Sequence, residues 1–476
     1  MKNKLNRFTS FTVFLVLIFN ILTISVFGNE NNNVLPSSYD LRKTGQVTSV
    51  KNQLQVDDCW AFSAMGSVES NLLRIEKKNY DFSEINMLLN NGTTNNINAG
   101  GNNRIAAGYF ASWKGPVYEA DDPNPASANS VQAKKGLTAA KHIQEVLFIP
   151  DRTGALDNNE LKKAVMKYGA VSSSLYMDEN TYLNSAGNAY YDYRSSYNNH
   201  AIDIVGWNDN YSKNNFKVSP AGNGAFICKN SWGTKFGDSG YFYVSYYDVS
   251  IGYDNAVFSG IEPSNNYSKN YQYDSQYNGN VYYPEGYDNW FSNVFTANGD
   301  SSKNEVISAV SFYTNKKNAK YVVYAENNYA SNRLTKIASK PVASGTIEMP
   351  GYHTVKLFNP VYLNTGGQFA VAVKVSGASI PIDSATASSN SYVSYDGVSW
   401  ETYGKTVDLK AFTTLNSKIQ SDVNGDGKID IKDIAAVAQK YNITSKDSSK
   451  WNVNYDVNKD ETIDIYDLVY ISKRIN

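Results

Sequence analysis

The chain has 476 residues, which is long enough for two to four domains. Its 44 Lys and Arg residues nearly balance its 45 Asp and Glu residues and no basic tail is present, so the charge gives no reason to expect a nucleic-acid partner. A hydrophobic content of 42% is typical of a globular chain rather than of a disordered one.

The N-terminal segment has the pattern of a secretory signal peptide. Lys2, Lys4 and Arg7 form a positive n-region, and residues 8–27 are almost wholly apolar. We therefore predict that residues 1–28 are a signal peptide and that the mature chain is secreted, extracellular, without a membrane span after cleavage. An uncleaved anchor is the alternative, because about 20 apolar residues are enough to cross a bilayer.

Residues 35–262 mix helical and strand patterns, which predicts an α+β domain. Apolar residues recur at steps of three and four from Ala61 to Ile75, so we expect a helix that starts at Cys59 with Asp58 as its N-cap. One further helix and two buried strands are predicted, in that order, at residues 156–171, 201–207 and 225–228.

Residues 263–415 are rich in Tyr, Ser, Asn, Val and Thr and carry repeated short strand patterns. Apolar residues alternate with other residues along 369–375, as expected of a half-buried strand, and two other segments are similar. We predict an all-β sandwich. Tyr282, Tyr283 and Trp290 are of the type that stacks on sugars, although such residues more often fill a core.

Residues 420–476 contain an internal repeat, in which an acidic segment occurs twice, each time before a short apolar helical pattern. Both copies have oxygen-bearing residues at the spacing of a calcium loop, and Ca²⁺ takes about six to eight oxygen ligands. In the first loop the predicted ligands are Asp422, Asn424, Asp426, the carbonyl of Lys428, Asp430 and Asp433. In the second loop they are Asp456, Asn458, Asp460, the carbonyl of Thr462, Asp464 and Asp467.

The two calcium loops differ at the position where a tight turn favours glycine. Gly427 meets this need in the first loop, whereas Glu461 takes the place of glycine in the second. We therefore expect a strained turn and a lower calcium affinity in the second loop. An acidic, solvated tail is the alternative interpretation of the repeat.

Few residues of the chain are suited to nucleophilic catalysis, since it has two cysteines and three histidines. Thiolate chemistry needs a nucleophile, a base and a group that orients the base. Cys59 begins a predicted helix, where the dipole favours a thiolate. His200 begins a predicted strand and Asn230 follows another. The alternative for the cysteines is a disulfide between Cys59 and Cys228.

The motifs around these residues resemble those of papain-type cysteine proteases. They are Leu35-Pro36, Asp40-Leu41-Arg42, residues 47–53 and Cys59-Trp60-Ala61-Phe62-Ser63, followed in the family's order by the segments around His200 and Asn230. The Cys-to-His spacing lies within the roughly 130–150 residues of that family. The resemblance implies a papain-like two-subdomain protease that hydrolyses protein or peptide substrates without a catalytic cofactor.

The resemblance implies roles for these residues one by one. Cys59 would attack the peptide carbonyl as a thiolate, and His200 would be its imidazolium partner. Asn230 would accept a hydrogen bond from the imidazole and orient it. Gln53 would supply a side-chain N–H to the oxyanion hole, beside the backbone N–H of Cys59. The glycine pair Gly100-Gly101 would let an extended substrate backbone approach closely.

The chain departs from the family pattern beside the nucleophile. Val56 replaces one cysteine of the family's disulfide, and Asn98-Ala99 occupies the partner position, so both halves are absent together. Asp57-Asp58 replaces the usual Gly-Ser. Two carboxylates there should disfavour a thiolate, so we expect activity that is weakened or shifted in pH.

The two C-terminal segments have resemblances of their own. The duplicated loop resembles a type I dockerin, which implies bound Ca²⁺ and docking to a cohesin domain of a scaffoldin, as in a cellulosome, or of a surface protein. Residues 263–415 resemble the lectin-like module of clostridial surface proteases, for which a cell-surface glycan, a spacer and a brace are open alternatives. A catalytically dead papain fold that acts as a binding or inhibitory subunit is the rival to a protease.

Overall fold

The computed structural model describes most of the chain after the predicted signal segment. The described residues are 34–476 except 94–95, 126–133, 196, 275–287, 301, 328, 330–333, 335–336, 338–340, 380–381, 384–385, 403, 418–420, 427 and 476. The predicted signal peptide, Tyr282, Tyr283 and Gly427 lie outside them. Among the helices of the described residues, none is long and apolar enough to cross a membrane.

The first half of the chain combines a helical part with a strand-rich part. Its helices are α1 (Cys59–Glu76), α2 (Glu84–Asn90), α3 (Asn103–Ala111), α4 (Asn159–Tyr168) and α5 (Glu179–Tyr182). Its strands are β1 (Ser38–Asp40), β2 (Lys141–Ile149), β3 (Val171–Leu175), β4 (Leu183–Asn184), β5 (Ala189–Tyr190), β6 (His200–Asn208), β7 (Ala225–Lys229), β8 (Tyr241–Ser245) and β9 (Tyr253–Pro263).

Helix α1 lies at the centre of this half. Every residue from Trp60 to Leu72 is buried, because α2 and α3 contact α1 in the helical part and β3, β6 and β9 contact it in the strand-rich part. One hydrophobic cluster contains residues of α1, α2 and α3, and a second contains residues of β3, β6, β7 and α4. The first half thus has the two-part α+β architecture that the sequence predicts.

The middle of the chain forms two facing sheets. The strands are β10 (Lys269–Tyr271), β11 (Asn289–Thr296), β12 (Lys303–Thr314), β13 (Ala319–Asn327), β14 (Pro341–Ile347), β15 (Gly351–Leu363), β16 (Gln368–Ser376), β17 (Ile382–Asp383), β18 (Ser391–Ser394), β19 (Glu401–Thr402), β20 (Thr406–Val407) and β21 (Leu409–Ser417). One sheet has the order β14-β13-β16-β11-β18-β19, and the other contains β10-β21-β12-β15. Side chains such as Phe291, Phe312 and Val373 fill the space between them.

The protease-like half and the sandwich share one sheet. Strand β15 pairs antiparallel with β2, with Tyr352 opposite Val146, so the sheet runs from the sandwich into the first half. Tyr313 and Tyr352 come from sandwich strands but are buried in the hydrophobic cluster of α1. Trp113 stacks between His142 and Phe412, with ring centroids 3.9 and 5.2 Å away. The contact therefore combines a shared sheet with buried aromatic side chains, which favours a brace over a flexible spacer.

The C-terminal segment is a small helical unit. Its helices are α6 (Ile431–Ala438) and α7 (Ile465–Ser472), which contact each other, and its short strands β22 (Ile443–Thr444) and β23 (Thr462–Ile463) pair. Each helix begins with a capping box, because Asp430 and Asp464 accept backbone N–H groups while Asp433 and Asp467 reach back. A small core around Val437 and Ile471 holds the unit together.

The sequence patterns located α1, α4, β6, β7, several sandwich strands and the two C-terminal helices, but most of the other elements were not predicted. The predicted helix at 156–171 is shorter, because α4 ends at Tyr168 and Gly169 separates it from β3. Strand β2 was not predicted. Its burial depends on β9 and β15, which are distant in sequence.

Tyr352→Ala tests whether the sandwich supports the fold of the first half. We expect a loss of about 3–5 kcal/mol in the free energy of unfolding, as is typical when a buried aromatic side chain is removed. Phe358→Ala on the same strand is the matched control, because Phe358 is 58% exposed. Urea unfolding of the two variants measures the difference, and an equal small effect for both would contradict a packed interface.

Candidate active site

A cleft of about 710 Å³ brings together five of the six predicted catalytic and substrate-binding residues. Its size is within the usual range for ligand pockets, about 300–1,000 Å³. The predicted residues that line it are Gln53, Cys59, Gly100, Gly101 and His200, and Trp232 lies beside them. These residues come from separate segments, so only the tertiary fold creates the site.

Cys59 is the first residue of α1 and is partly buried in the cleft. The backbone N–H of Ala201, the residue after His200, lies 3.4 Å from Cys59 Sγ and donates to it. Burial raises the pKa of the Cys59 thiol to about 11, although the N–H groups of Ala201 and Trp60 act in the opposite direction. The helix start alone therefore does not produce a thiolate. Cys59 and Cys228 are both free, which is inconsistent with a disulfide between them.

His200 and Asn230 form a hydrogen-bonded pair. His200 Nε2 lies 2.8 Å from Asn230 Oδ1, and the backbone N–H of Ser231 donates to the same oxygen. Because that N–H fixes the oxygen as an acceptor, Nε2 must carry the proton, and Nδ1 is the acceptor in the neutral ring. The ring of Trp232 lies 4.8 Å from the imidazole, centroid to centroid. Burial lowers the pKa of His200 to about 4, although the hydrogen bond that Nε2 donates to Asn230 acts in the opposite direction.

Gln53 is held rigidly at the edge of the cleft. Its Nε2 donates to the carbonyl of Val56 at 2.8 Å, and its Oε1 accepts from Ser231 Oγ at 2.6 Å. A primary amide has two N–H donors, and the bond to Val56 uses one of them. The second N–H of Gln53 can therefore donate to another acceptor.

Gly100 and Gly101 also line the cleft. Gly100 has φ +66°, a conformation that glycine adopts without strain, and a side chain at Gly101 would overlap the indole of Trp60. The N–H of Asp57 donates to the carbonyl of Ile97 at 3.0 Å. A backbone hydrogen bond thus joins the two segments that the family's disulfide would link.

Asp58 differs from its expected role. It occupies the N-cap position of α1, but its side chain makes no capping hydrogen bond, and it is only 2% exposed. Burial raises the pKa of its carboxyl to about 8, with the charge of Glu84 acting in the same direction. Asp58 is therefore neutral at pH 7, and the expected repulsion of a thiolate by two adjacent carboxylates is reduced. No local sequence pattern signals that Asp58 is buried.

The two acidic loops have the oxygen donors that calcium prefers. Asp433 and Asp467, at the last position of each loop, are fully buried and accept backbone N–H groups from their own loops. In the described residues, no three His, Cys, Asp or Glu side chains are gathered closely enough to hold a metal as they stand. An oxygen-only donor set fits Ca²⁺ chemically, and the carboxylates now bonded to N–H groups are the ones that would turn to the ion.

The second loop has the strained turn that the sequence predicts. Glu461 has φ +68°, in the left-handed region that favours glycine. Its carbonyl accepts from the N–H of Ser445, and its side chain lies 3.3 Å from Ser445 Oγ. Gly427, the corresponding residue of the first loop, lies outside the described residues.

The aromatic residues of the sandwich that were considered for sugar binding receive no support. Trp290 is 7% exposed and stacks on Tyr324, with ring centroids 5.4 Å apart, so it belongs to a core. Tyr282 and Tyr283 lie outside the described residues. The remaining two histidines also pack in the interior, since His142 and His353 are each 4% exposed.

Three family models match successive parts of the chain. Residues 35–261 match the papain family cysteine proteases, residues 270–413 match the lectin-like domain, and residues 420–476 match the type I dockerin domain. The matches agree with the three resemblances seen in the motifs.

Curated relatives match the first of these parts. Cathepsin K of Mus musculus is 30% identical over 210 residues, which are 44% of this chain and 59% of the relative. Cathepsin S of Mus musculus is 29% identical over 223 residues, 45% of this chain and 60% of the relative. The chain thus spans about three fifths of the length of these curated relatives.

Solved structures match the first two parts together. The clostridial cysteine protease Cwp84 after propeptide cleavage has a TM-score of 0.71 and 27% identity, with 80% of this chain and all of that chain covered. The cysteine protease and lectin-like domains of Cwp84, a surface layer associated protein of Clostridium difficile, give a TM-score of 0.69 at 27% identity and cover 80% of this chain and 88% of that one.

Proposed function

The chain carries a papain-family cysteine protease domain, a lectin-like domain and a dockerin type I domain, and we propose that it is an endopeptidase that docks to a cohesin-bearing partner. One observation carries the proposal for catalysis. His200 is held by Asn230 at 2.8 Å under Trp232, while the next N–H along the chain, that of Ala201, contacts the sulfur of Cys59.

The electrostatics of the cleft support the proposal that Cys59 and His200 become charged together. Burial raises the pKa of the thiol and lowers the pKa of the imidazole, so each charge alone is disfavoured. Transfer of the proton from Sγ to Nδ1 creates both charges side by side, with no net charge added to the cleft. We propose that Cys59 becomes nucleophilic in this way.

The proposed reaction then follows from the positions of the donors. The sulfur of Cys59 attacks the peptide carbon, and the carbonyl electrons move to the oxygen. Gln53 Nε2 and the Cys59 backbone N–H stabilise that oxyanion, and each such donor is typically worth about 2.7–4 kcal/mol of barrier. His200 gives its proton to the leaving amine, and water later cleaves the thioester. Gly100 and Gly101 would face the extended backbone of the substrate.

The rival proposal of a catalytically dead subunit is not favoured. Its support was the repulsion expected from Asp57 and Asp58, and Asp58 is buried with a pKa of about 8. Moreover, the sulfur of Cys59 has no disulfide partner.

Labelling by an epoxide-bearing peptide tests the proposed protease directly. We expect one covalent adduct on the wild-type chain, none on Cys59→Ala, and peptide hydrolysis that disappears with the same substitution. Cys228→Ala is the matched control, because Cys228 is free but 0% exposed, and it should keep both labelling and activity. Intact-protein mass spectrometry and a fluorogenic peptide assay give the two readouts. An unlabelled, inactive wild-type chain would favour the dead-subunit proposal.

The dockerin domain suggests how the protease is attached to a partner protein. We propose that both loops bind Ca²⁺ and that the domain docks to a cohesin of a scaffoldin or surface protein. The dockerin resemblance implies partner-reading residues at Ile431-Lys432 and Ile465-Tyr466, and of these Ile431 and Tyr466 are 69% and 65% exposed. Apolar side chains this exposed at helix starts are suited to a protein partner.

We propose that the chain acts outside the cell, after removal of residues 1–28. Cwp84, which it resembles across 80% of its length, is described as a surface layer associated protein. The lectin-like domain would brace the protease domain rather than bind a glycan, because its shared sheet and buried Tyr352 join the two.

Glu461→Gly tests the strained second loop. We expect a several-fold gain in calcium affinity, because ion binding is coupled to folding of the loop and glycine adopts the positive φ of this position at a cost lower by about 1 kcal/mol. Glu461→Ala is the control, since it also removes the contact with Ser445 but keeps a Cβ. Calcium titration by calorimetry compares the three chains. Equal affinities for the glycine and alanine variants would contradict backbone strain as the cause.

A further inference from the structure

A polar side chain lies between the helix that carries Cys59 and the strand that carries His200. Asp203 is on β6, three residues after His200, and is 4% exposed. Alternate side chains of a strand point to the same face, so Asp203 shares a face with Ala201. Ala201 is the residue whose N–H contacts the sulfur of Cys59.

The surface that packs against Asp203 is one face of α1. Ser63 and Gly66 follow Cys59 by four and seven residues, which places all three on one side of the helix. Ser63 Oγ lies 3.2 Å from Asp203 Oδ1 and 2.8 Å from the carbonyl of Ile202. Gly66 has room for no side chain, because a Cβ there would overlap the carboxyl of Asp203. The carboxyl therefore fits closely against the helix.

The same carboxyl faces charged groups on neighbouring elements. Lys229 of β7 is directly opposite Asp203 in the strand pairing and precedes Asn230. Glu69 of α1 and Lys229 line the same small cavity as Asp203, together with Lys51 and Glu84. Burial raises the pKa of Asp203 to about 8, while Lys229 acts to lower it and Glu69 to raise it. At pH 7 Asp203 is therefore mostly protonated.

We propose that Asp203 is a positioning residue, whose buried carboxyl joins β6 to α1 through Ser63 and thereby fixes the distance between the sulfur of Cys59 and the imidazole of His200. Proton transfer between the two is sensitive to that distance, and a misplacement of about 1 Å costs on the order of 100-fold in rate. The inference rests on the proposed protease function but has a readout that does not need peptide hydrolysis.

That readout is the rate at which iodoacetamide alkylates Cys59, measured at pH 7 by mass spectrometry of the full chain. Cys228 is fully buried and serves as an internal standard for intact folding. Asp203→Ala should slow the alkylation of Cys59 and lower kcat on a peptide by about 10- to 100-fold, with KM changed much less. Asp203→Asn keeps the size and a hydrogen-bonding oxygen, so it should restore most of both rates.

Two further variants keep the test decisive if Asp203→Ala does not fold. Ser63→Ala removes the hydroxyl and should slow alkylation in the same direction. Gly66→Ala should do likewise because its Cβ displaces the carboxyl, and adding Gly66→Ala to Asp203→Ala should cause no further loss. Urea unfolding identifies any variant whose loss of rate reflects unfolding.

Several outcomes would overturn the inference. One is a folded Asp203→Ala or Ser63→Ala variant in which Cys59 is alkylated at the wild-type rate and kcat is unchanged. Another is an Asp203→Asn variant as slow as Asp203→Ala. A chain that alkylates normally at Cys59 but hydrolyses no peptide would refute the proposed protease function while leaving the positioning role measurable.

Discussion

The packing of α1 against β6 is the constraint on which the site depends. Cys59 begins the helix and His200 begins the strand, so their separation is set by how the two elements fit. The fit uses small or buried side chains, with Ser63 and Gly66 against Asp203. In the proposed mechanism thiolate and imidazolium form together as close neighbours, since burial disfavours each charge alone. The packing of α1 against β6 therefore determines whether the proposed proton transfer between Cys59 and His200 can occur.

The core around α1 also includes side chains from outside the protease-like half. Strand β15 continues the sheet at β2, and Tyr352 fills part of the hydrophobic cluster around α1. The stack of His142, Trp113 and Phe412 closes another part of the contact. The sandwich therefore contributes to the core on which the cleft is built.

Local sequence patterns predicted the elements whose apolar residues follow a regular spacing along the chain. The apolar periodicity after Cys59 located α1, and the short apolar run after His200 located β6. The motifs also identified the residues that the cleft brings together. The burial of Asp58 and the pairing of β2 with β15 depend on segments distant in sequence, and no local pattern signals them. In the sequence Asp203 is an ordinary polar residue of a strand. Only the fold shows that its carboxyl packs against Gly66.

The most direct test of paired ionisation is the pH dependence of Cys59 alkylation in the wild-type chain and in His200→Gln. With His200 present, the account predicts a reactive thiolate well below pH 8.5, which is about the ordinary pKa of a cysteine thiol. Without the imidazole, burial alone should act, and reactivity should rise only above that value, towards the pKa of about 11 that burial produces. Superimposable profiles for the two chains would contradict the claim that sulfur and imidazole share a proton.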